Sequence, residues 1–586
     1  ILATAPRVLS QGEKVTLPVT LFIQKESIQN VVVKAEANNL IRFDENMKTV
    51  SAGETGEKDI EFTFRAGDET GVANIKITAT GGGESAVYEL QVGIRNPNPP
   101  ETRAETRILS PGEKWDASFM PLGTSGTASL ELSALPSINL GKRLDYLLEY
   151  PHGCTEQIIS AAFPQLYLKD AVAGDLQAAE KASANIRDAI NKITARQMND
   201  GGMAPWPGSL QADEWITSYT GHFMAEAEGK GFSIPSGYRQ KWNSFQRKRA
   251  QDWRFDKNHP QSAVNQAYRL YTLALAGQPE RGPMNRLRES AGLPKVSKWL
   301  LAGAYALTGR TEVAGDLLDM RNTGTEKEYS GYYYGSDLRD QAIILYTLSI
   351  LKKQEEALPL LKSLCDSFSG DNWYSTQTTA WVLMAYMKFT EMMPAGGTGE
   401  IRAGITYNGE RSERQVMQKQ VTILPLAVKD GTNSLTVQNI SEKPLYATLV
   451  RKGIPKVTDV TRENRGLGMT VNYYDTSLQP VDPLSLEQGT DFIMVVKIVN
   501  NTYSAVENIA LTQVIPSGWE IRNTRLYEAE YGIKESARDY RDIRDDRLNT
   551  YFSLNRGETK TFMAILNAAY RGEFSLPPVW CEAMYN

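Results

Sequence analysis

Cys154 and Gln157 stand three residues apart in Leu148-Glu-Tyr150-Pro-His152-Gly-Cys154-Thr-Glu156-Gln157, a spacing that brings two side chains onto one face of a helical turn. A thiol held against a side-chain amide in that geometry can displace ammonia and leave an internal thioester between the Cys sulfur and the Gln δ-carbonyl. The carbonyl is then an electrophile. An amine attacks it, forms an amide and frees the Cys thiol, which inverts the usual cysteine chemistry in which sulfur is the attacker. Water competes for the same carbon, so the site is useful only under apolar and aromatic cover. Tyr150, four residues before the Cys, is a candidate cover, and Pro151 and Gly153 stiffen and then turn the backbone. Glu156 could polarise the carbonyl, but a carboxylate in the first turn of a helix more simply complements the N-terminal dipole. Without Gln157, Cys154 would read as a small buried hydrophobe.

The elements around this stretch follow from periodicity. From Lys14 to Ile94 apolar and polar residues alternate, as in Val15, Leu17, Val19, Leu21 and Ile23, so residues 1–97 read as a β-sandwich. Asn96-Pro97-Asn98-Pro99-Pro100 cannot continue a strand and reads as a linker. Residues 98–134 hold two further strands between Arg107 and Leu132. From 135 to 395 the period becomes helical, for example at Leu338, Ala342, Leu345, Leu348 and Leu351. Ala263–Ala276, Trp299–Leu307 and Trp381–Phe389 have no broad polar face and must be shielded by other helices. Ten to twelve helices in two concentric rings are expected, an all-α α/α toroid. Period two returns over 396–455, so the toroid reads as a guest inserted in one β-domain. Residues 456–586 read as a last β-domain.

Composition limits the function. The chain has 586 residues, 41% hydrophobic and 23% charged, with net charge −5. Such a chain folds into several domains, and without a dominant basic cluster it does not read as a nucleic-acid binder. Its longest wholly apolar run, Trp299–Leu307, is far shorter than a membrane helix requires, so no transmembrane segment is expected and the chain reads as soluble. It starts Ile-Leu-Ala-Thr-Ala-Pro without Met or a signal pattern, which reads as a piece of a longer or processed protein. Three cysteines, at 154, 365 and 581, are too few for a disulfide framework.

The octapeptide Tyr150-Pro-His-Gly-Cys-Thr-Glu-Gln157 resembles the thioester signature of the α2-macroglobulin and complement superfamily, and is similar above all to that of the bacterial α2-macroglobulins. Gly201-Gly-Met-Ala-Pro-Trp206-Pro, Asp213-Glu-Trp215, Asn265-Gln-Ala-Tyr268 and Trp373-Tyr-Ser-Thr376-Gln-Thr-Thr-Ala-Trp381 are similar to segments of the family's toroidal thioester domain. Arg541–Arg547 and Tyr570–Tyr585 are similar to its last macroglobulin-like domain. The resemblance covers the family's C-terminal half and implies macroglobulin-like sandwiches at 1–97 and 456–586, with a CUB-like β-domain (98–134 and 396–455) interrupted by the thioester domain (135–395). It implies a broad-spectrum proteinase inhibitor, a single-use covalent trap for Lys amines rather than an enzyme. Cys154 and Gln157 would form the bond, Tyr150, Met584 and Tyr585 would shield it, and Glu156 and His152 could support it. It further implies a periplasmic, inner-membrane-anchored whole protein, working as a monomer on proteinases, with no cofactor and no metal.

Relatives that esterify hydroxyls carry a helper His in the toroid, and none of His152, His222 and His259 matches it recognisably, although His259 lies at about the right distance; amide formation is therefore expected. The alternatives are an α/α-toroid enzyme, for which no Asp-rich metal motif or zinc set is recognisable, a Cys and His hydrolase, and a thioester adhesin. Cys365, Trp206, Trp215, Trp373 and Trp381 read as toroid core, Cys581 as packing, and Arg538–Arg547 as a solvated, salt-bridged loop.

Overall fold

The computed structural model describes residues 1–98, 101–136, 138–149, 153–167, 176–318, 334–368, 374–393, 401–416, 421–454, 464, 466–522 and 535–585. They form two compact units: Ile1–Glu101, Gly123–Ser125 and Ile454–Met584 make one, and Thr102–Leu122, Gly126–Gly453 and Tyr585–Asn586 the other.

The first unit is all β. Lys14–Ile23 alternates buried and half-buried residues along most of its length, sending Val15, Leu17, Val19 and Leu21 inward against Phe62 and Phe64 of Gly56–Ala66, because successive side chains leave a strand on opposite faces. Its sheet runs Leu2–Ala3, Lys14–Ile23, Gly56–Ala66, Ile41–Phe43 and packs against a second sheet of Val8–Ser10, Glu84–Arg95, Gly71–Gly81, Asn30–Ala37 and Met47–Ser51. A second pair of sheets is built from Leu467–Asp475, Asp491–Asn500, Thr559–Ala568 and Trp519–Ile521, and from Tyr540–Ile543, Arg547–Leu554, Val506–Val514 and Val579–Ala583, around Phe492, Val496, Leu511, Phe552 and Phe562. Gly572–Glu573 pairs with the edge of Lys14–Ile23, and Asp546 accepts from Arg95 at 2.5 Å. The Arg538–Arg547 run is therefore not simply a solvated loop. Arg541 lies on a strand and pairs with Glu535, both side chains nearly buried, and Asp546 is buried between Arg95 and Arg547. Alternating charge looks the same in sequence whether its partners are water or one another.

In the second unit, three strands rather than two precede the helices: Glu101–Leu109, Lys114–Phe119 and Thr124–Ser133. They interleave with Ile401–Tyr407, Glu410–Val416, Thr422–Leu426, Asn433–Asn439 and Leu445–Ile454 in two four-stranded sheets. Lys114–Phe119 pairs along its whole length with Asn433–Asn439, so strands from both sides of the helical block share one core of Trp115, Leu130, Ala403 and Val437.

The helical block contains twelve α-helices among the described residues: α1 (Leu140–Glu149), α2 (Thr155–Ala162), α3 (Leu176–Thr194), α4 (Glu214–Gly229), α5 (Ser236–Asp252), α6 (Ser262–Leu275), α7 (Arg281–Arg288), α8 (Lys295–Leu307), α9 (Thr311–Asp316), α10 (Asp337–Ile350), α11 (Gln354–Phe368) and α12 (Thr376–Met392). α2, α4, α6, α8, α10 and α12 contact one another in that order, and α12 returns to α2. This closed inner ring is buried on nearly every side, as its near-absence of a polar face requires. The remaining helices shield it, completing an α/α toroid.

Glu131, on Thr124–Ser133, is buried and accepts the Gly141 N–H at 2.7 Å, so a strand side chain caps the start of α1. Burial pushes its carboxyl up to about 7 from an ordinary 4.5. The folded chain thus keeps a proton that the unfolded chain has lost, and this group should lower stability as pH rises through that window, by on the order of 3 kcal/mol in all. Glu131→Gln should flatten the fall, measured by urea unfolding at pH 5 and 7.5; an unchanged slope would refute the assignment.

Candidate acyl site at the mouth of the toroid

Cys154 is the N-cap residue of α2 and Gln157 its third helical residue. The Gln157 Oε1 accepts the Cys154 backbone N–H at 3.1 Å, while the Cys154 sulfur faces the backbone N–H of Gln157. This is a capping box with sulfur in place of the usual hydroxyl. It pins the side-chain amide and the sulfur in one turn, and the N–H on Oε1 draws electron density from the δ-carbon. Gly153 reaches this turn with φ +66°, which a residue with a Cβ adopts only at a cost.

The turn is held from behind. Arg196 donates to the Gly153 carbonyl at 3.0 Å and to Thr155 Oγ1 at 3.2 Å, and Thr155 itself donates to the Ala204 carbonyl at 2.6 Å. The Gly201-Gly-Met-Ala-Pro segment is therefore the buttress of the site. Gly201, at φ +98°, could carry no Cβ, which would lie 2.2 Å from the Lys241 carbonyl oxygen.

Four inner helices begin at this mouth, with Cys154, Asp213, Ser336 and Ser375 as the N-caps of α2, α4, α10 and α12. Their positive dipole ends suit buried acceptors. Glu156 is fully buried there. Its Oε1 accepts from Ser160 and from Gln377 Nε2 (2.9 Å), its Oε2 from Thr376 Oγ1 (2.8 Å) and from the Tyr585 hydroxyl (2.6 Å). The expected dipole role thus understates this residue, whose carboxyl joins α2, α12 and the chain end. Desolvation raises its pKa, against the pull of these four hydrogen bonds.

Tyr585 groups with the toroid, and its hydroxyl lies 3.4 Å from the Cys154 sulfur. Cys154 is buried, and desolvation, then the Glu156 charge, pushes its thiol up to about 12. On the acyl side a cleft of about 240 Å³ lies beside Gln157, bordered by Leu147, Gly153, Ile158 and Ala161.

The other candidate residues separate. Tyr150, Pro151, His152 and Trp373 lie outside the described residues. Met584 is buried, and its N–H donates to the Asn508 carbonyl at 3.0 Å. His222 is enclosed by aromatic rings and bonded to the hydroxyls of Tyr268 (3.0 Å) and Tyr346 (3.4 Å), with its pKa held low by burial; it is core. His259 is exposed after α5. Trp215, Trp381 and Cys365 are buried in the toroid, Trp206 is half-buried, and Cys581 lies on Val579–Ala583 against the last β core. Thr376 and Gln377 had been noted only as part of a motif, and Ser160 and Tyr334 carried no signal beyond their type.

Comparison with known proteins agrees with this architecture. Residues 466–586 match the family model of the bacterial alpha-2-macroglobulin MG10 domain. The chain is 24% identical over 535 residues to an alpha-2-macroglobulin of Escherichia coli (84% of this chain, 31% of that protein) and 24% identical over 632 residues to one of Xylella fastidiosa strain Temecula1 (100% and 37%). The chain is similar to the bacterial alpha-2-macroglobulins. It spans about a third of the length of these curated relatives. Its fold matches the crystal structure of native alpha-2-macroglobulin from Escherichia coli spanning domain MG7 to the C-terminus, with TM-score 0.83 and 20% identity over 100% of this chain and 96% of that one. It also matches Salmonella alpha-2-macroglobulin reacted with methylamine, with TM-score 0.83 and 23% identity over 100% of this chain and 39% of that one. Among the described residues no helix is long and apolar enough to cross a membrane.

Proposed function

We propose that Cys154 and Gln157 join in an internal thioester that captures amines once, and that the chain is the reactive part of a bacterial proteinase trap. The observation that carries this is the pinned sulfur and side-chain amide in one buried turn. In formation, the sulfur–carbon bond replaces the carbon–nitrogen bond of the Gln157 amide, and the thiol proton leaves with ammonia. In capture, a Lys amine attacks the δ-carbon, an amide forms, and the displaced sulfur takes a proton to become the Cys154 thiol.

Burial supplies the latency. A sulfur whose thiol is pushed up to about 12 is a poor leaving group. Exposure would return it toward its ordinary value and speed the attack, so opening the site is the trigger. In the whole protein, proteinase cleavage of a bait segment would supply that opening, with Tyr150, Met584 and Tyr585 as shields and His152 in support. A periplasmic setting, anchored at the inner membrane, fits such a trap. Amides are favoured over esters because His222 is bonded to Tyr268 and Tyr346 in the toroid core and His259 is exposed after α5.

Intact mass tests the reading. Fresh protein should be lighter than its encoded mass by one ammonia. Methylamine should then add whole, freeing one titratable thiol. A fresh chain at its encoded mass that takes up no methylamine would exclude the thioester.

A further inference from the structure

We infer that Tyr334 is a second shield of the acyl site, held in place by Asp213. The inference rests on the thioester reading and concerns a residue outside the Tyr150, Met584 and Tyr585 set.

The Tyr334 ring meets the Tyr585 ring edge to face, with centroids 4.9 Å apart and planes at 77°, a favoured aromatic geometry. Its hydroxyl donates to Asp213 Oδ2 at 3.0 Å, while Asp213 Oδ1 accepts the Ile216 N–H at 2.7 Å and caps α4. The arrangement repeats that of Tyr585. In each case a phenol at the mouth of the toroid is tied to a carboxyl at an inner-helix N-terminus, fully buried Glu156 on α2 or half-buried Asp213 at the cap of α4. Burial, then the charge of Asp213, pushes the Tyr334 phenol up, so it stays a neutral donor to that carboxyl.

The backbone supports the assignment. Tyr334 has φ +56°, a left-handed conformation that is unfavourable for a bulky residue. Such strain persists only where surrounding contacts over-determine it. Here those contacts are the Asp213 bond and the Tyr585 ring. Tyr585 is gripped at its hydroxyl by Glu156 and at its ring by Tyr334. Without the second grip the ring can swing about its hydroxyl, and water and amines reach the Cys154 sulfur and the Gln157 carbonyl.

The test compares wild type, Tyr334→Phe and Tyr334→Ala for methylamine uptake and for spontaneous conversion of Gln157 to Glu, both read by peptide mass with no proteinase present. Tyr334→Ala should react about ten-fold faster or more, since exclusion of water is what protects the bond. Tyr334→Phe keeps the ring and should react only a few-fold faster. Circular dichroism should be unchanged in both. If the Ala variant does not fold, Tyr334→Leu replaces it with the same expectation. A wild type that carries the thioester, beside variants that react at its rate, would overturn this inference alone. A wild type without the thioester would overturn the reading beneath it as well.

Discussion

Cys154→Ala should abolish methylamine incorporation and leave the chain at its encoded mass, with melting little changed. The loss is all or none because the bond needs the sulfur that the turn pins against the Gln157 amide, and the substitution removes it. Stability should move little, since replacing a small buried side chain by Ala removes one sulfur and its weak contacts to the Gln157 N–H and the Tyr585 hydroxyl. If the proposed function holds, the whole protein with this substitution should form no covalent proteinase adducts, read as the loss of high-mass bands on denaturing gels. Methylamine uptake at the wild-type level would assign the reactive acyl group elsewhere.

The second large effect is on stability. Glu156→Ala should destabilise the chain by about 4–6 kcal/mol, because Ser160, Thr376, Gln377 and Tyr585 would lose their acceptor in a buried site, at the lower end of the about 1–3 kcal/mol for each orphaned group since Ser160 keeps the Tyr219 hydroxyl as a partner. It should also release Tyr585 and, on the proposed thioester, speed methylamine uptake at Gln157. Glu156→Gln keeps the shape and one acceptor, and the three hydroxyls can turn to accept from its amide, so a loss of about 2 kcal/mol is expected. The pH dependence separates the two roles. Burial raises the folded-state pKa of Glu156 above its ordinary value, so ionisation costs the wild type stability as pH rises through that window. The deficit of the Gln variant, which cannot ionise, should therefore shrink over the same range. Denaturant unfolding at several pH values checks both statements. A Glu156→Ala chain as stable as wild type would show that the four bonds contribute nothing net.

The order of elements was legible because each layer has its own period. Alternation marked Lys14–Ile23 and its partners, and the nearly unbroken apolar surface of Trp299–Leu307 required an inner helix. The third strand before the toroid, Glu101–Leu109, was missed. Its side chains are largely polar, so alternation is faint, and its place in the sheet depends on its partner Leu445–Ile454, which lies far along the chain.

At the candidate site, the pairing of sulfur and side-chain amide was legible in local order. Cys154 and Gln157 meet through a helical turn that the chain makes by itself, and the glycine before it supplies the left-handed residue that the turn needs. What holds and covers that turn was not local. Glu156 reads like any carboxylate in a first turn until Thr376, Gln377 and Tyr585 converge on it, and Tyr334 is one tyrosine in a run of three until Asp213 and Tyr585 fix it. The proposed reactivity rests on neighbours along the chain, whereas the proposed latency rests on burial. Burial depends on which distant side chains close over the mouth of the toroid, and only the folded ring brings them there.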